Sequence, residues 1–127
     1  MMTLPKTVLV VDDSTQIRRM LQVMLESRGY QVFQAWNGMT AIKIARRVRP
    51  AVILMDLEMP MMDGYEACQI LKSDPETADL KVVILSTTLL TGLSETTLDI
   101  GADAFLSKPA QMGTLHACLE QVLSISA

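Results

Sequence analysis

Acidic side chains follow two short apolar runs of the sequence, at the point where each run ends. Asp12 and Asp13 come directly after residues 8–11, and Asp56 comes directly after residues 51–55. If these runs are neighbouring strands of one parallel sheet, the carboxylates lie within a few ångströms of one another and repel strongly. A hard divalent cation would relieve that repulsion. Mg²⁺ suits such a site because it takes oxygen ligands and usually keeps several waters.

Two further side chains that could act on an anion follow later apolar runs. Ser86 comes directly after residues 82–85, and Lys108 comes shortly after residues 103–106. Each of these strand-end residues also has an ordinary local explanation. The first acidic pair could cap the next helix, and the other residues could belong to turns or loops. Their joint occurrence at one sheet edge favours a shared site, where Lys108 would offset part of the negative charge.

The spacing of apolar residues predicts the elements that must bring these side chains together. Short β-rich runs alternate with longer segments of helical period. We predict strands at residues 7–11, 31–35, 51–55, 81–85 and 103–106, and helices at about residues 14–28, 41–48, 64–71, 93–100 and 115–122. Strands separated by helices need crossover connections, so we expect a parallel sheet with helices on both faces. Ligands of such sheets bind at the carboxyl ends of the strands.

Length and composition restrict the class of protein. The chain has 127 residues, of which 50% are hydrophobic and 20% charged, so we predict one domain covering residues 1–127. Its net charge of −3 at pH 7 disfavours a nucleic-acid-binding surface. The apolar runs are far shorter than the roughly 18 residues of a membrane span, so we expect no membrane segment. Cys68 and Cys118 are too far apart for a metal or disulfide motif, and two free thiols fit a cytoplasmic protein.

Three sequence motifs occur in the order and spacing of one known family. Residues 8–14 read VLVVDDS, residues 56–64 read DLEMPMMDG and residues 101–109 read GADAFLSKP. With these motifs the chain resembles the receiver domain of two-component response regulators, and looks closest to the single-domain, chemotaxis-like kind. The resemblance runs from about Lys6 to Val122. It implies a flavodoxin-like α/β fold, (βα)5, with a parallel sheet of order 2-1-3-4-5 between two layers of helices.

The resemblance also implies roles for the acidic residues. Asp56 would be the nucleophile that accepts a phosphoryl group from the phosphohistidine of a histidine kinase. Asp13 would bind Mg²⁺ directly, Asp12 would assist through water, and the backbone carbonyl of Glu58 would supply another metal oxygen. The chemistry agrees, because a carboxylate nucleophile gives an acyl phosphate and phosphoryl transfer depends mainly on alignment and charge neutralisation.

Three further residues would bind the phosphoryl group or report its presence. Lys108 would pair with the phosphoryl oxygens, and Ser86 would donate a hydrogen bond to one of them. Phe105 would be the aromatic side chain whose rotamer follows that movement. The added charge, about two negative units, would shift the population between two packings of the domain.

The implied function is a phosphorylation-dependent signalling switch, which catalyses only its own phosphotransfer and slow dephosphorylation. Its partners would be a sensor histidine kinase or phosphotransfer protein, and a downstream protein target or an effector domain. Output would use the face of predicted helix 4, strand 5 and helix 5. Leu89, Leu90 and Leu93 fit a partner surface there, and they fit simple packing beneath the helix equally well.

The sequence departs from the common family pattern at several positions. Ser86 stands where Thr is commoner, so a methyl group that restricts the side-chain rotamer is missing. Phe105 lacks the hydroxyl of the common Tyr, and Ala110 stands where Phe is frequent. Glu58 places a carboxylate two residues after the acceptor, and we expect it to change Mg²⁺ affinity and the dephosphorylation rate in either direction.

Two rival functions stay open. A Mg²⁺-dependent phosphohydrolase could use Asp56, but it would turn over small phosphomonoesters many times. An unphosphorylated docking module with a receiver-like fold is disfavoured by the intact set of acceptor, metal and anion-binding residues. The sequence names neither the kinase nor the pathway nor the oligomeric state, and it fits a stand-alone regulator as well as a receiver cut from a longer protein.

Overall fold

Five parallel strands form the central sheet of the protein. The computed structural model describes residues 6–86, 101–108 and 111–124. The strands are β1 (Thr7–Val11), β2 (Gln31–Ala35), β3 (Val52–Asp56), β4 (Lys81–Ser86) and β5 (Ala104–Ser107). Their order in the sheet is β2-β1-β3-β4-β5, and every neighbouring pair is parallel. The predicted fold class and strand order are confirmed.

Four helices connect or follow these strands within the described residues. They are α1 (Thr15–Glu26), α2 (Gly38–Val48), α3 (Gly64–Ser73) and α4 (Met112–Ser124). Helix α4 is the fifth helix of the sequence prediction. Predicted helix 4 lies outside the described residues, as do Leu89, Leu90, Leu93 and Ala110. None of the described helices has both the length and the apolar character that crossing a membrane requires.

Alternating side chains of the strands pack into two apolar cores, one on each face of the sheet. Val8 and Val10 of β1 join the core that α1 and α4 cover, whereas Leu9 and Val11 join the core that α2 and α3 cover. Strand β3 is buried over its whole length, as its uninterrupted apolar sequence predicts. The sheet is therefore the middle of three layers, and its carboxyl edge is left open for a site.

Three strands differ from the prediction by one residue at one or both ends. Strand β3 covers residues 52–56 rather than 51–55, β4 ends at residue 86 rather than 85, and β5 covers residues 104–107 rather than 103–106. Strand β5 begins at Ala104, because the preceding Asp103 serves as a side-chain acceptor. The Asp103 carboxylate accepts hydrogen bonds from the backbone N of Val82 at 2.8 Å and from Lys72 Nζ at 3.1 Å. Strand β4 extends to Ser86, so this residue lies in the sheet rather than in the following loop.

Candidate functional site

The carboxyl edge of the sheet brings together the polar residues that follow the strands. Asp12 directly follows β1, Asp56 and Ser86 are the last residues of β3 and β4, and Lys108 directly follows β5. Because β1 pairs with β3, β3 with β4 and β4 with β5, these side chains come from adjacent strands. The backbone N of Lys108 donates to the carbonyl of Ser86 at 2.7 Å, which extends the ladder into the site.

Three carboxylates lie close together at this edge. Asp12, Asp13 and Asp56 each place a carboxylate oxygen within 4.8 Å of the others. Asp12 and Asp56 are almost fully buried, whereas Asp13 is exposed. An all-oxygen donor set with one member open to solvent fits a hard cation that retains part of its water shell. The donor chemistry therefore suits Mg²⁺ rather than a softer metal.

The acidic pair does not cap the following helix, although the sequence allowed that alternative. Ser14 is the N-cap of α1, and its Oγ accepts a hydrogen bond from the backbone N of Ile17 at 3.2 Å. Asp12 Oδ1 accepts instead from the backbone N of Ser14 at 2.9 Å. The second carboxylate oxygen of Asp12 is thereby directed to the site.

Lys108 supplies the cation that the buried carboxylates share. Its Nζ lies 2.9 Å from Asp12 Oδ2 and 2.8 Å from Asp56 Oδ1, and its side chain is only 12% exposed. Both contacts are charge-assisted hydrogen bonds in a poorly hydrated environment. One ammonium group nevertheless faces three carboxylates, so the site keeps an excess of negative charge. That excess is what a divalent cation would neutralise.

The pKa values of the two central groups, Asp56 and Lys108, are both raised from their ordinary values. Burial raises the pKa of Asp56, and the nearby Asp12 raises it further, against the lowering effects of Lys108 and the backbone N–H of Glu58. Burial lowers the pKa of Lys108, but its hydrogen bonds to Asp56 and Asp12 outweigh that effect and leave it above its ordinary value. Both shifts mean that each group holds its proton more firmly in the folded protein than it would in water. A bound cation would oppose this effect.

Glu58 connects the Asp56 carboxylate to the Ser86 hydroxyl. The backbone N of Glu58 donates to Asp56 Oδ1 at 3.2 Å. Its side-chain Oε1 accepts a hydrogen bond from Ser86 Oγ at 2.8 Å. Ser86 is fully buried, while Glu58 reaches the surface. The sequence identified both residues as site residues but gave no sign that their side chains bond to each other.

Phe105 lies on β5 beside the site. It faces Ile84 of β4 in the sheet register and is half-buried against the core under α2 and α3. An aromatic ring in this position has both a packed side and a solvent side.

Two residues support the site although the sequence analysis assigned them no role in it. Arg18 of α1 donates from Nη1 to the backbone carbonyl of Asp12 at 2.7 Å, and from Nε to Gln34 Oε1 at 2.9 Å. Gly64 of α3 packs so closely on the end of β3 that an added Cβ would lie 2.6 Å from the carbonyl oxygen of Asp56. The sequence signal for Arg18 was its position one helical turn after Ser14. Gly64 both opens a predicted helix and ends the motif at residues 56–64.

Known proteins are similar to this chain in sequence. The family model described as "Response regulator receiver domain" matches residues 8–120. The chain is 37% identical over 118 residues to the "Probable transcriptional regulator ycf27" of Porphyridium aerugineum, a match that covers 91% of this chain and 47% of that protein. It spans about half the length of several such relatives.

Solved structures extend the likeness to the fold. Chemotaxis protein CheY4 of Vibrio cholerae superposes with a TM-score of 0.88 at 31% identity, covering 93% of this chain and 98% of that one. The receiver domain of sensor histidine kinase PA1611 from Pseudomonas aeruginosa PAO1 superposes with a TM-score of 0.86 at 28% identity, covering 94% of this chain and 98% of that one. That structure has a magnesium ion coordinated in the active site cleft. With the family model matching from β1 into the last helix, this chain belongs to the response regulator receiver domain family, whose members are modules of phosphorylation-dependent signalling.

Proposed function

We propose that residues 1–127 act as one phosphorylation-dependent switch in which Asp56 accepts a phosphoryl group from a histidine kinase or phosphotransfer protein. The observation that carries the proposal is the shared ammonium group. Lys108 Nζ bonds to both Asp12 and Asp56, and the oxygens of Asp12, Asp13 and Asp56 lie within 4.8 Å of one another. This arrangement supports neutralising a phosphoryl group at a carboxylate, which is the main requirement of phosphoryl transfer.

The transfer step uses an oxygen of Asp56 as nucleophile. That oxygen attacks the phosphorus of the donor phosphohistidine, a P–O bond forms as the P–N bond breaks, and the imidazole leaves after taking up a proton. The product is an acyl phosphate on Asp56. Lys108, which contacts Asp56 in this structure, would pair with the phosphoryl oxygens, and the N–H of Glu58 would keep the Asp56 carboxylate oriented.

The metal-binding role falls to the acidic residues of the site. Asp12, Asp13 and Asp56, with the backbone carbonyl of Glu58, would hold Mg²⁺. When bound, the ion supplies positive charge that stabilises the phosphoryl oxygens. Asp13 is the exposed member of the set and Asp12 the buried one, which suits a cation that keeps waters on its open side.

The response to phosphorylation would begin at Ser86 and Phe105. The phosphoryl group adds about two negative charges and new acceptor oxygens, which attract the Ser86 hydroxyl. Rotation of the Ser86 hydroxyl at the end of β4 would open space beside β5, into which Phe105 would turn. The resulting change on the face that includes β5 and α4 would control a downstream protein or an effector domain.

Incubation with Mg²⁺ and acetyl phosphate tests the acceptor. Intact-protein mass spectrometry should show one added phosphoryl group that is stable to acid and labile to base. The Asp56→Ala variant should gain none. The Asp79→Ala variant, which lacks an exposed aspartate paired with Arg49, should be labelled like the wild type.

Two results would contradict this function. Labelling that persists in Asp56→Ala would assign the acceptor to another residue. Many rounds of hydrolysis of a small phosphomonoester would indicate a phosphohydrolase, because a receiver accepts one phosphoryl group and loses it slowly.

A further inference from the structure

The side-chain contact between Ser86 and Glu58 affects how readily phosphorylation activates the protein. We propose that Glu58 is a positioning residue that holds the Ser86 hydroxyl in the unphosphorylated arrangement and so opposes activation. The inference rests on the proposed function, because it concerns the hydroxyl that would report the phosphoryl group. It adds a second acceptor to that mechanism, one that belongs to this chain.

A hydroxyl group has one proton to donate, so Ser86 can serve only one strong acceptor at a time. In the unphosphorylated protein that acceptor is Glu58 Oε1, at 2.8 Å. A phosphoryl oxygen on Asp56 would compete for the same proton. Activation must therefore break a hydrogen bond to a charged group before it gains another, and such bonds are stronger than bonds between neutral groups.

The surroundings confine the exchange to a side-chain rotation. The backbone carbonyl of Ser86 accepts from the N–H of Lys108 at 2.7 Å, so the end of β4 is held in place. The backbone N–H of Glu58 is likewise engaged with Asp56 Oδ1 at 3.2 Å. Ser86 has no methyl group on Cβ, so its hydroxyl can change rotamer without the restriction that Thr would carry.

Burial makes the competition strict. Ser86 is fully buried, and a buried hydroxyl without an acceptor is unfavourable, so a hydroxyl that leaves Glu58 needs another acceptor. Glu58 reaches the surface, so its carboxylate can be hydrated once the hydroxyl has turned away. The free energy of the Ser86–Glu58 hydrogen bond is thus a cost that the interaction of Ser86 with the phosphoryl group must offset.

The affinity for beryllofluoride, a phosphoryl mimic, measures this competition at equilibrium. We would titrate beryllofluoride in excess Mg²⁺ and follow binding by ¹⁹F NMR for the wild type, Glu58→Ala, Ser86→Ala and the double variant. Glu58→Ala should bind about tenfold more tightly, the low end of the effect of a hydrogen bond to a charged group. In the Ser86→Ala background the same change should gain at most about threefold, because only the lost surface charge remains.

Two controls separate the hydrogen bond from charge. Glu58→Gln keeps an acceptor oxygen and loses the charge, so its affinity should fall between those of the wild type and Glu58→Ala. Glu66→Ala removes an exposed glutamate from the first turn of α3 and should change affinity by less than about threefold. Equal gains from Glu58→Ala with and without Ser86 would overturn this inference alone. A wild-type protein that binds no beryllofluoride in Mg²⁺ would overturn the proposed function instead.

Discussion

A single ammonium group serves two buried carboxylates at the centre of this site. Burial, with the charge of Asp12, nevertheless raises the pKa of Asp56 above its ordinary value. A carboxyl group whose pKa is higher in the folded than in the unfolded state holds its proton longer when folded. Its ionisation then costs folding free energy, a cost that is present above the folded pKa and disappears as the pH falls towards the ordinary value of 3.8. The acceptor is thus kept ionised at the expense of stability, as functional groups often are.

Replacing this carboxylate should therefore stabilise the metal-free protein. We expect Asp56→Asn to raise the free energy of unfolding at pH 7 in EDTA by about 1 kcal/mol, the usual scale of a single-site effect. Lys108 keeps Asp12 as its partner in this variant. Urea unfolding at pH 7 and pH 4 should show a gain that shrinks at the lower pH.

The matched control for this prediction is Asp79→Asn. A hydrogen bond from Arg49 lowers the pKa of Asp79, so removing that carboxylate should give no such gain at pH 7. An Asp56→Asn variant less stable than the wild type at pH 7 would mean that the pairing with Lys108 outweighs the effect of burial.

At the scale of the elements, the site depends on how closely α3 approaches the end of β3. A Cβ at Gly64 would lie 2.6 Å from the carbonyl oxygen of Asp56 and 2.9 Å from Leu57 Cα, and neither backbone atom can move aside cheaply. We expect Gly64→Ala to destabilise the protein by about 2 kcal/mol through overpacking. Gly113→Ala in α4 is the control, because a Cβ there meets nothing within 4 Å.

The two glycine substitutions should thus change the free energy of unfolding in opposite directions when both are measured by urea unfolding. Gly113→Ala should gain about 0.5 kcal/mol, because alanine favours the helix. A Gly64→Ala variant as stable as the wild type would show that α3 can shift along β3 without loss.

The sequence was sufficient to predict the topology of the sheet, but it did not predict individual side-chain contacts. Parallel strands must end at one edge, so the positions after the apolar runs were enough to bring Asp12, Asp56 and Lys108 together in advance. The start of β5 was missed by one residue, because an alternating pattern does not reveal that Asp103 accepts a hydrogen bond from a neighbouring strand. The Ser86–Glu58 contact was missed because it depends on two rotamers and the path of a loop.

At the scale of the whole molecule, the acidic cluster should link metal binding to stability. A cation that binds only the folded state stabilises it, by about 1.4 kcal/mol at a Mg²⁺ concentration ten times Kd. For a chain of this length that corresponds to a Tm increase of about 5 °C. Thermal unfolding followed by circular dichroism with and without Mg²⁺ measures the shift.

Asp13→Asn provides the control for the metal effect. Asp13 is exposed, so the substitution should leave the metal-free Tm nearly unchanged while it removes most of the increase with Mg²⁺. An equal increase in the variant and the wild type would place the stabilising cation at another site.

The contact between Lys108 and Asp12 also has a consequence in time. The two residues are 96 positions apart in the chain, although their charged atoms are 2.9 Å apart in the fold. At about 5–20 residues per second, the ribosome adds the lysine roughly 5–20 s after the aspartate. During the later part of that interval, once Asp56 has been added, a growing chain carries the proposed acceptor without the lysine that pairs with it. A translation product that stops short of β5 would accordingly lack Lys108 and would not act as a phosphorylation-dependent switch.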